Sequence, residues 1–376
     1  MRVAFNDLAR LAEQDHDLLE GAMRRVAASG RYILGPEVEA FEREWAAYCG
    51  AAHAVGVASG TDALKILLRI ATEKRYGGRV ITVANTAPPT LAAIDDVGLT
   101  PHFVDIDEED GLMDPAKLPD PPPPETVAIV PVHLYGHMVT MRTIVEYAER
   151  HGLVVIEDAC QAHGAVDANG NRPGELSFGA AFSFYPTKNL GCLGDGGAIV
   201  TNNHHVNHEA RLMREYGYVD VFHIGEHVGY NSRLDEIQAA ILRDRIPLMD
   251  QRNAARANAT ALYRARLTTI IGGGNHHIVA ARVEDRRAVR ARLADRGIDS
   301  AVHYPVPGYC QNGFSLALLR VLAGGHIDLR IVDQGECPVT DAWCLEILSL
   351  PMHPFITNAE VHAVCDALAD AIKKVP

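Results

Sequence analysis

The chain has 376 residues, of which 48% are apolar and 22% charged; that is more than one hydrophobic core usually spans, so two domains are expected. A formal charge of −13 leaves no basic face to displace counterions from a phosphate backbone, which argues against nucleic acid as a partner. No apolar run approaches the roughly 18 residues of a membrane span, and the opening "MRVAFNDLARLAEQDHD" is broken by Asn6, Asp7 and Glu13 before an apolar signal core can form, so a soluble, cytoplasmic protein without membrane contact is expected.

From His53 to about Thr201, short β-rich runs alternate with helix-length text. The runs are "HAVGVAS", "RVITVAN", "PHFVDID", "VAIVPVHLYG", "LVVIED", "AAFSFYP" and "GGAIVTN", with "DALKILLRI" and "RTIVEYAERHG" between some of them. This pattern predicts an α/β fold with a mainly parallel, seven-stranded sheet flanked by helices. The proline run "LPDPPPPE", Leu118 to Glu125, lacks the N–H donors of a helix or central strand and reads as a surface linker. Beyond Ile246 the alternation gives way to a long helix, "PLMDQRNAARANATALYRARL", and mixed segments around the glycines at 272 to 274. The expected division is a large domain over 1–245, N-terminal segment included, and a smaller α/β domain over 246–376.

In such sheets ligands gather beyond the carboxyl ends of the strands, where Ser59, Asn85, Asp158 and Lys188 are expected to fall. Lys188 stands in "SFYPTKNLGCLGDGG", between an apolar strand and a glycine-rich turn. A nucleotide-binding P-loop needs its glycines before the lysine, and here they follow it. A Schiff-base lysine fits the order better. At pH 7 an ordinary lysine is neutral in only about one molecule in 2,500, so a catalytic amine needs burial or a cationic neighbour to lower its pKa. Pyridoxal 5′-phosphate supplies such a neighbour and makes further demands. Its phosphate wants a helix N-terminus, which Ser59, Gly60 and Thr61 of "ASGTDAL" offer, with plain helix capping as the alternative. Its ring nitrogen wants a carboxylate, and Asp158 closes "LVVIED"; an ordinary strand-end aspartate is the alternative. Gln161 and Ser183 are candidates to orient the ring. Seven scattered cysteines without a C-x-x-C pair point to reduced thiols. Eighteen histidines, densest at His204 to His208 and at His276 and His277, form no zinc-type spacing, so no metal is expected.

Eight ordered segments, among them "SGRYILGPEVEAFE", "GVASGTDAL", "PVHLYGHM", "IEDACQAHGA", "FSFYPTKNLGCLGDGGAIVT", "GYNSRLDEIQAAIL", "HYPVP" and "ILSLPMHP", resemble the DegT-type (DegT/DnrJ/StrS) pyridoxal-phosphate sugar aminotransferases of fold type I over nearly the whole chain. The resemblance implies that Lys188 forms the Schiff base and shuttles the proton, that Asp158 pairs with the pyridinium, and that Ser59, Gly60, Thr61 and Ser183 hold the phosphate. It places Gln161 at the ring hydroxyl and Ala87 against the ring. Asn231 is implied to reach the phosphate of a neighbouring subunit in a homodimer with shared sites, the alternative being a loop asparagine satisfying its own backbone. His163, Tyr185, His303 and Tyr304 are implied substrate-side candidates. The implied reaction is amino transfer to a nucleotide-linked 3-keto or 4-keto deoxyhexose from L-glutamate. Dehydration, an aminocyclitol ketone and a non-catalytic regulatory role remain as alternatives. Two departures stand out. "NTAPPT" has Ala87, Pro88 and Pro89 where many relatives carry an aromatic stacking residue, and "GFSLALLRVLAGGHIDLRIVDQGE" is unlike the usual spacer, so the family's substrate contacts there are not carried over.

Overall fold

The computed structural model describes residues 2–72, 77–268, 270–311 and 337–373. All seven expected runs are strands of one sheet: β1 (His53–Val57), β2 (Arg79–Val83), β3 (Thr100–Val104), β4 (Thr126–Ile129), β5 (Val154–Asp158), β6 (Gly179–Ser183) and β7 (Gly197–Thr201). Their order is β1-β7-β6-β5-β4-β2-β3. The pairs within β6-β5-β4-β2-β3 are parallel, and β7 runs antiparallel to both its neighbours. The carboxyl ends of the other six strands therefore share one edge, where β7 begins.

Strands this apolar are read as buried on both faces, and they are. Along β6, Ala181 packs with Leu64 and Leu67 of the helix Gly60–Thr72, whereas Ala180 and Phe182 face Phe41 and Trp45 of the helix Pro36–Cys49. The residues 118–125 contain no helix or strand. A short hairpin, β8 (Tyr218–Asp220) and β9 (His223–Ile224), projects Val221 and Phe222 into solvent at 79% and 86% exposure.

The long helix expected after Ile246 spans Met249–Arg266. Beyond it β10 (Ile270–Ile271), β11 (Val279–Arg282) and β12 (Ile347–Leu350) form an antiparallel sheet. Tyr263, Val279, Leu293, Leu348 and Val364 build a separate core there, which Val3 joins from the N-terminus. The stretch from Gly313 to Glu336, flagged as unlike the usual spacer, lies outside the described residues. No described helix is long and apolar enough to cross a membrane.

Candidate active site

At the shared edge of the sheet lies a cavity of about 440 Å³. The turn after β6 carries Lys188 into it, closed by the Lys188 N–H donating to the Tyr185 carbonyl at 2.8 Å. The turn is tight: a Cβ on Gly191 would stand 2.5 Å from the Pro186 carbonyl oxygen. The Lys188 residue is half-buried and lines the cavity. Burial pushes its pKa below the ordinary lysine value, against upward pulls from Cys160 and Asp158.

Asp158 ends β5 in the same cavity, 5% exposed. Its Oδ1 accepts the Cys160 N–H at 3.1 Å and its Oδ2 accepts the Thr90 hydroxyl at 2.6 Å. Ser59, Gly60 and Thr61 stand at the start of the helix Gly60–Thr72 and line the cavity. Ser59 Oγ accepts the Asp62 N–H at 3.1 Å, so the capping role is realised, while the hydroxyl retains its own hydrogen as a donor. Two glycines bring the backbone together here. A Cβ on Gly60 would meet Cys160 Sγ at 2.6 Å and Ser183 Cβ at 2.8 Å, and one on Gly197 would meet the Ser59 carbonyl carbon at 2.3 Å. The helix N-terminus thus opens to the cavity as a cradle of small residues suited to an anion.

Gln161 is held from both ends. Its Oε1 accepts the Tyr135 N–H at 2.8 Å and its Nε2 donates to the Tyr304 hydroxyl at 3.2 Å. Burial raises the pKa of Tyr304 above the usual phenol range. His303 lines the wall, its Nδ1 2.8 Å from Ser349 Oγ, and burial brings its pKa down to about 4. Ser183, whose Oγ accepts the Tyr185 N–H at 3.3 Å, and Ala87 also line the cavity; Tyr185 lies at its exposed rim.

Three of the expected residues do not line this chain's cavity. His163 does not reach the cavity lining: its ring packs among Trp45, Phe182 and Phe184, with Nε2 2.8 Å from the Ser183 carbonyl. The turn after β5 sends Gln161 toward the cavity and His163, two residues on, behind its wall. Asn85 follows β2 but faces inward, donating to the Gly111 carbonyl at 3.0 Å. Asn231 lies on the surface outside this chain's cavity, in an isolated bridge to Glu215. Conversely, Thr86, Thr90, Cys160 and His277 are cavity residues that the motifs alone had not singled out. His277 belongs to the "HH" pair; its Nδ1 lies 2.9 Å from Asn189 Oδ1, and burial, followed by the nearby Lys188, drives its pKa well down. Burial raises the Cys160 thiol, so it stays protonated.

A sheltered amine, a carboxylate held by two donors and a small-residue cradle at a helix N-terminus meet in one cavity. These are the groups that pyridoxal phosphate requires of a protein. Fold and site together define a pyridoxal-phosphate-dependent enzyme of the α/β aminotransferase type.

The comparison with known proteins carries the assignment further. Residues 14–369 match the DegT/DnrJ/EryC1/StrS aminotransferase family, and the chain belongs to that family. It is 39% identical, over 100% of its length and 97% of the relative's, to the dTDP-3-amino-3,4,6-trideoxy-alpha-D-glucose transaminase of Streptomyces venezuelae. It is 38% identical, over 97% of its length and 98% of the relative's, to the dTDP-3-amino-3,6-dideoxy-alpha-D-galactopyranose transaminase of Aneurinibacillus thermoaerophilus. The crystal structure of S. venezuelae DesV in complex with a ketimine intermediate superposes with a TM-score of 0.90 at 39% identity, covering 100% of both chains. The structure of NtdA from Bacillus subtilis with bound cofactor PMP superposes with a TM-score of 0.86 at 28% identity, covering 99% of this chain and 86% of the other.

Proposed function

We propose that this chain is a pyridoxal-phosphate-dependent aminotransferase that places nitrogen on carbon 3 of a nucleotide-linked keto-deoxyhexose, with L-glutamate as donor, in a homodimer whose two sites are shared. The observation that carries the reading is the meeting of Lys188, Asp158 and the Ser59–Thr61 cradle in one cavity. The choice of carbon 3 is supported by the relatives, whose names place their amino group there. A more distant relative, 30% identical, is a 3-oxo-glucose-6-phosphate:glutamate aminotransferase, which supports the donor.

When bound, pyridoxal phosphate supplies an aldehyde for the amine and a protonated ring that withdraws electrons. The rest falls to the chain's own residues. Lys188 Nζ, held below its ordinary pKa by burial, takes the proton leaving the donor's α-carbon and returns one to the sugar carbon that gains nitrogen. Asp158 would hold the ring-nitrogen proton in place once the cofactor is bound. The hydroxyls of Ser59, Thr61 and Ser183 and the N–H groups of the helix start bind the phosphate. Gln161 orients the ring, and Val132, Leu134 and Ile278 form apolar walls that exclude water. Tyr185, His303 and Tyr304 line the sugar side.

The apolar hairpin tip, Val221 and Phe222, and the neighbouring Val228 at 63% exposure precede Asn231 in the chain, and such a patch fits burial against another copy. The division into units over 1–245 and 246–376 is part of the proposal and rests on the separate core around Tyr263 and Leu348. Incubating the protein with pyridoxal phosphate, L-glutamate and a panel of nucleotide-linked 3-keto and 4-keto deoxysugars tests the reading. Amination of a 3-keto sugar is expected; amination confined to 4-keto sugars corrects the position, and turnover of no keto sugar overturns the substrate class.

A further inference from the structure

The helix Pro88–Asp96 begins beyond the carboxyl end of β2 with two prolines in its first turn. Neither has an N–H to leave unsatisfied, and their fixed φ suits that turn. The turn closes through the Thr90 N–H, which donates to the Ala87 carbonyl at 3.1 Å, so the departure at Pro88 and Pro89 sets Thr90 in a stiff frame. Thr90 is 1% exposed, and its Oγ1 lies 2.6 Å from Asp158 Oδ2 and 2.8 Å from Thr86 Oγ1. The direction of both bonds follows from what each group can do. A carboxylate only accepts, so the Thr90 hydrogen points to Asp158. Thr90 then has no hydrogen left for Thr86, and Thr86 donates to it. The order is Thr86 to Thr90 to Asp158.

We infer that Thr90, backed by Thr86, is a positioning residue for the reaction: its hydroxyl fixes the rotation of the Asp158 carboxylate and sets how strongly that carboxylate competes for the ring-nitrogen proton. The inference rests on the reading above, in which Asp158 faces the cofactor ring. A hydrogen bond to a buried charged group is stronger than a neutral one, and a donor behind it adds to it. Partners of this kind orient and tune the group that meets a cofactor. With Oδ2 engaged by Thr90 and Oδ1 by the Cys160 N–H, the carboxylate cannot turn without breaking one bond.

The test is the pH titration of the visible absorption band in protein reconstituted with pyridoxal phosphate, together with the dissociation constant of the cofactor. Thr90→Val removes the hydroxyl at nearly constant shape. Asp158 becomes more basic and takes a larger share of the ring proton, the ring withdraws less charge from the lysine nitrogen, and the band's midpoint moves up by about half a pH unit or more. The cofactor is also held more weakly. Thr90→Ser retains the donor and is expected within about 0.2 pH unit of wild type. Thr86→Val moves the midpoint the same way by less, and serves if Thr90→Val does not fold. A midpoint unchanged in both valine variants overturns this inference alone, provided Lys188→Ala abolishes the band. A wild-type protein that develops no band, or a band that survives Lys188→Ala, overturns the underlying reading and this inference with it.

Discussion

The buried imidazole of His163 makes the fold acid-labile by an amount that can be worked out. It is 0% exposed, and its Nε2 lies 2.8 Å from the Ser183 carbonyl. A carbonyl only accepts, so Nε2 carries the hydrogen. Nδ1 is buried with no hydrogen-bond partner among the described residues, so a second proton has no acceptor there. Burial accordingly brings the pKa down to about 3, with Lys188 adding to the effect. The unfolded chain binds that proton near pH 6.5. Between about pH 3 and 6.5 the unfolded state holds more protons than the folded one, so stability rises with pH across that window and falls on acidification. From pH 6.5 to 4.5 the loss from this one group is about 2 kcal/mol. His163→Phe keeps a ring among Trp45, Phe182 and Phe184 but deletes the titration. At pH 7.5 it costs about 1–3 kcal/mol for the hydrogen bond to Ser183. Urea unfolding of both proteins at pH 7.5, 6.5, 5.5 and 4.5 gives the difference directly. His276, His303 and His353, each brought down to about 4, titrate alike in both and cancel. The stability gap is expected to shrink by about 2 kcal/mol from pH 6.5 to 4.5. A gap that stays constant over that range refutes the argument.

Two further expectations follow from the site. Gly60→Ala drives a Cβ to 2.8 Å from Ser183 Cβ, and overpacking of this kind costs about 1–3 kcal/mol; denaturant midpoints of the apoprotein and equilibrium dialysis with pyridoxal phosphate are expected to show lower stability and weaker cofactor binding, with wild-type values in both contradicting the cradle. If the dimer shares its sites, mixing inactive Lys188→Ala with impaired Asn231→Ala subunits through a dissociation and reassociation step restores one intact site per hybrid, about a quarter of wild-type activity in an equal mixture; no gain over the separate variants contradicts the sharing.

The seven strands were legible because each is an unbroken apolar run that only a sheet covered on both faces can bury, as at "LVVIED" and "GGAIVTN". Lys188 and Asp158 were legible for a related reason: each is a polar residue placed where such a run stops, at the edge where ligands gather. What local text does not carry is the direction a side chain takes after a turn. Gln161 and His163 are two residues apart in one motif, yet the first braces the cavity through Tyr135 and Tyr304 while the second packs against Trp45. Asn85 stands beyond the end of β2 as expected, but the Gly111 carbonyl claims its amide. Thr90 was hidden by distance, since its hydroxyl meets a carboxylate 68 positions further along the chain. His277 arrives from beyond the large sheet, and only the assembled fold makes it a wall residue.

The central claim is that the Lys188 amine captures the cofactor aldehyde. Borohydride reduction of protein incubated with pyridoxal phosphate, followed by proteolysis and peptide mass mapping, tests it most directly. The account predicts one dominant pyridoxyl label, on the peptide carrying Lys188, absent from Lys188→Ala. A dominant label on another lysine, or a label of equal yield in the variant, contradicts it.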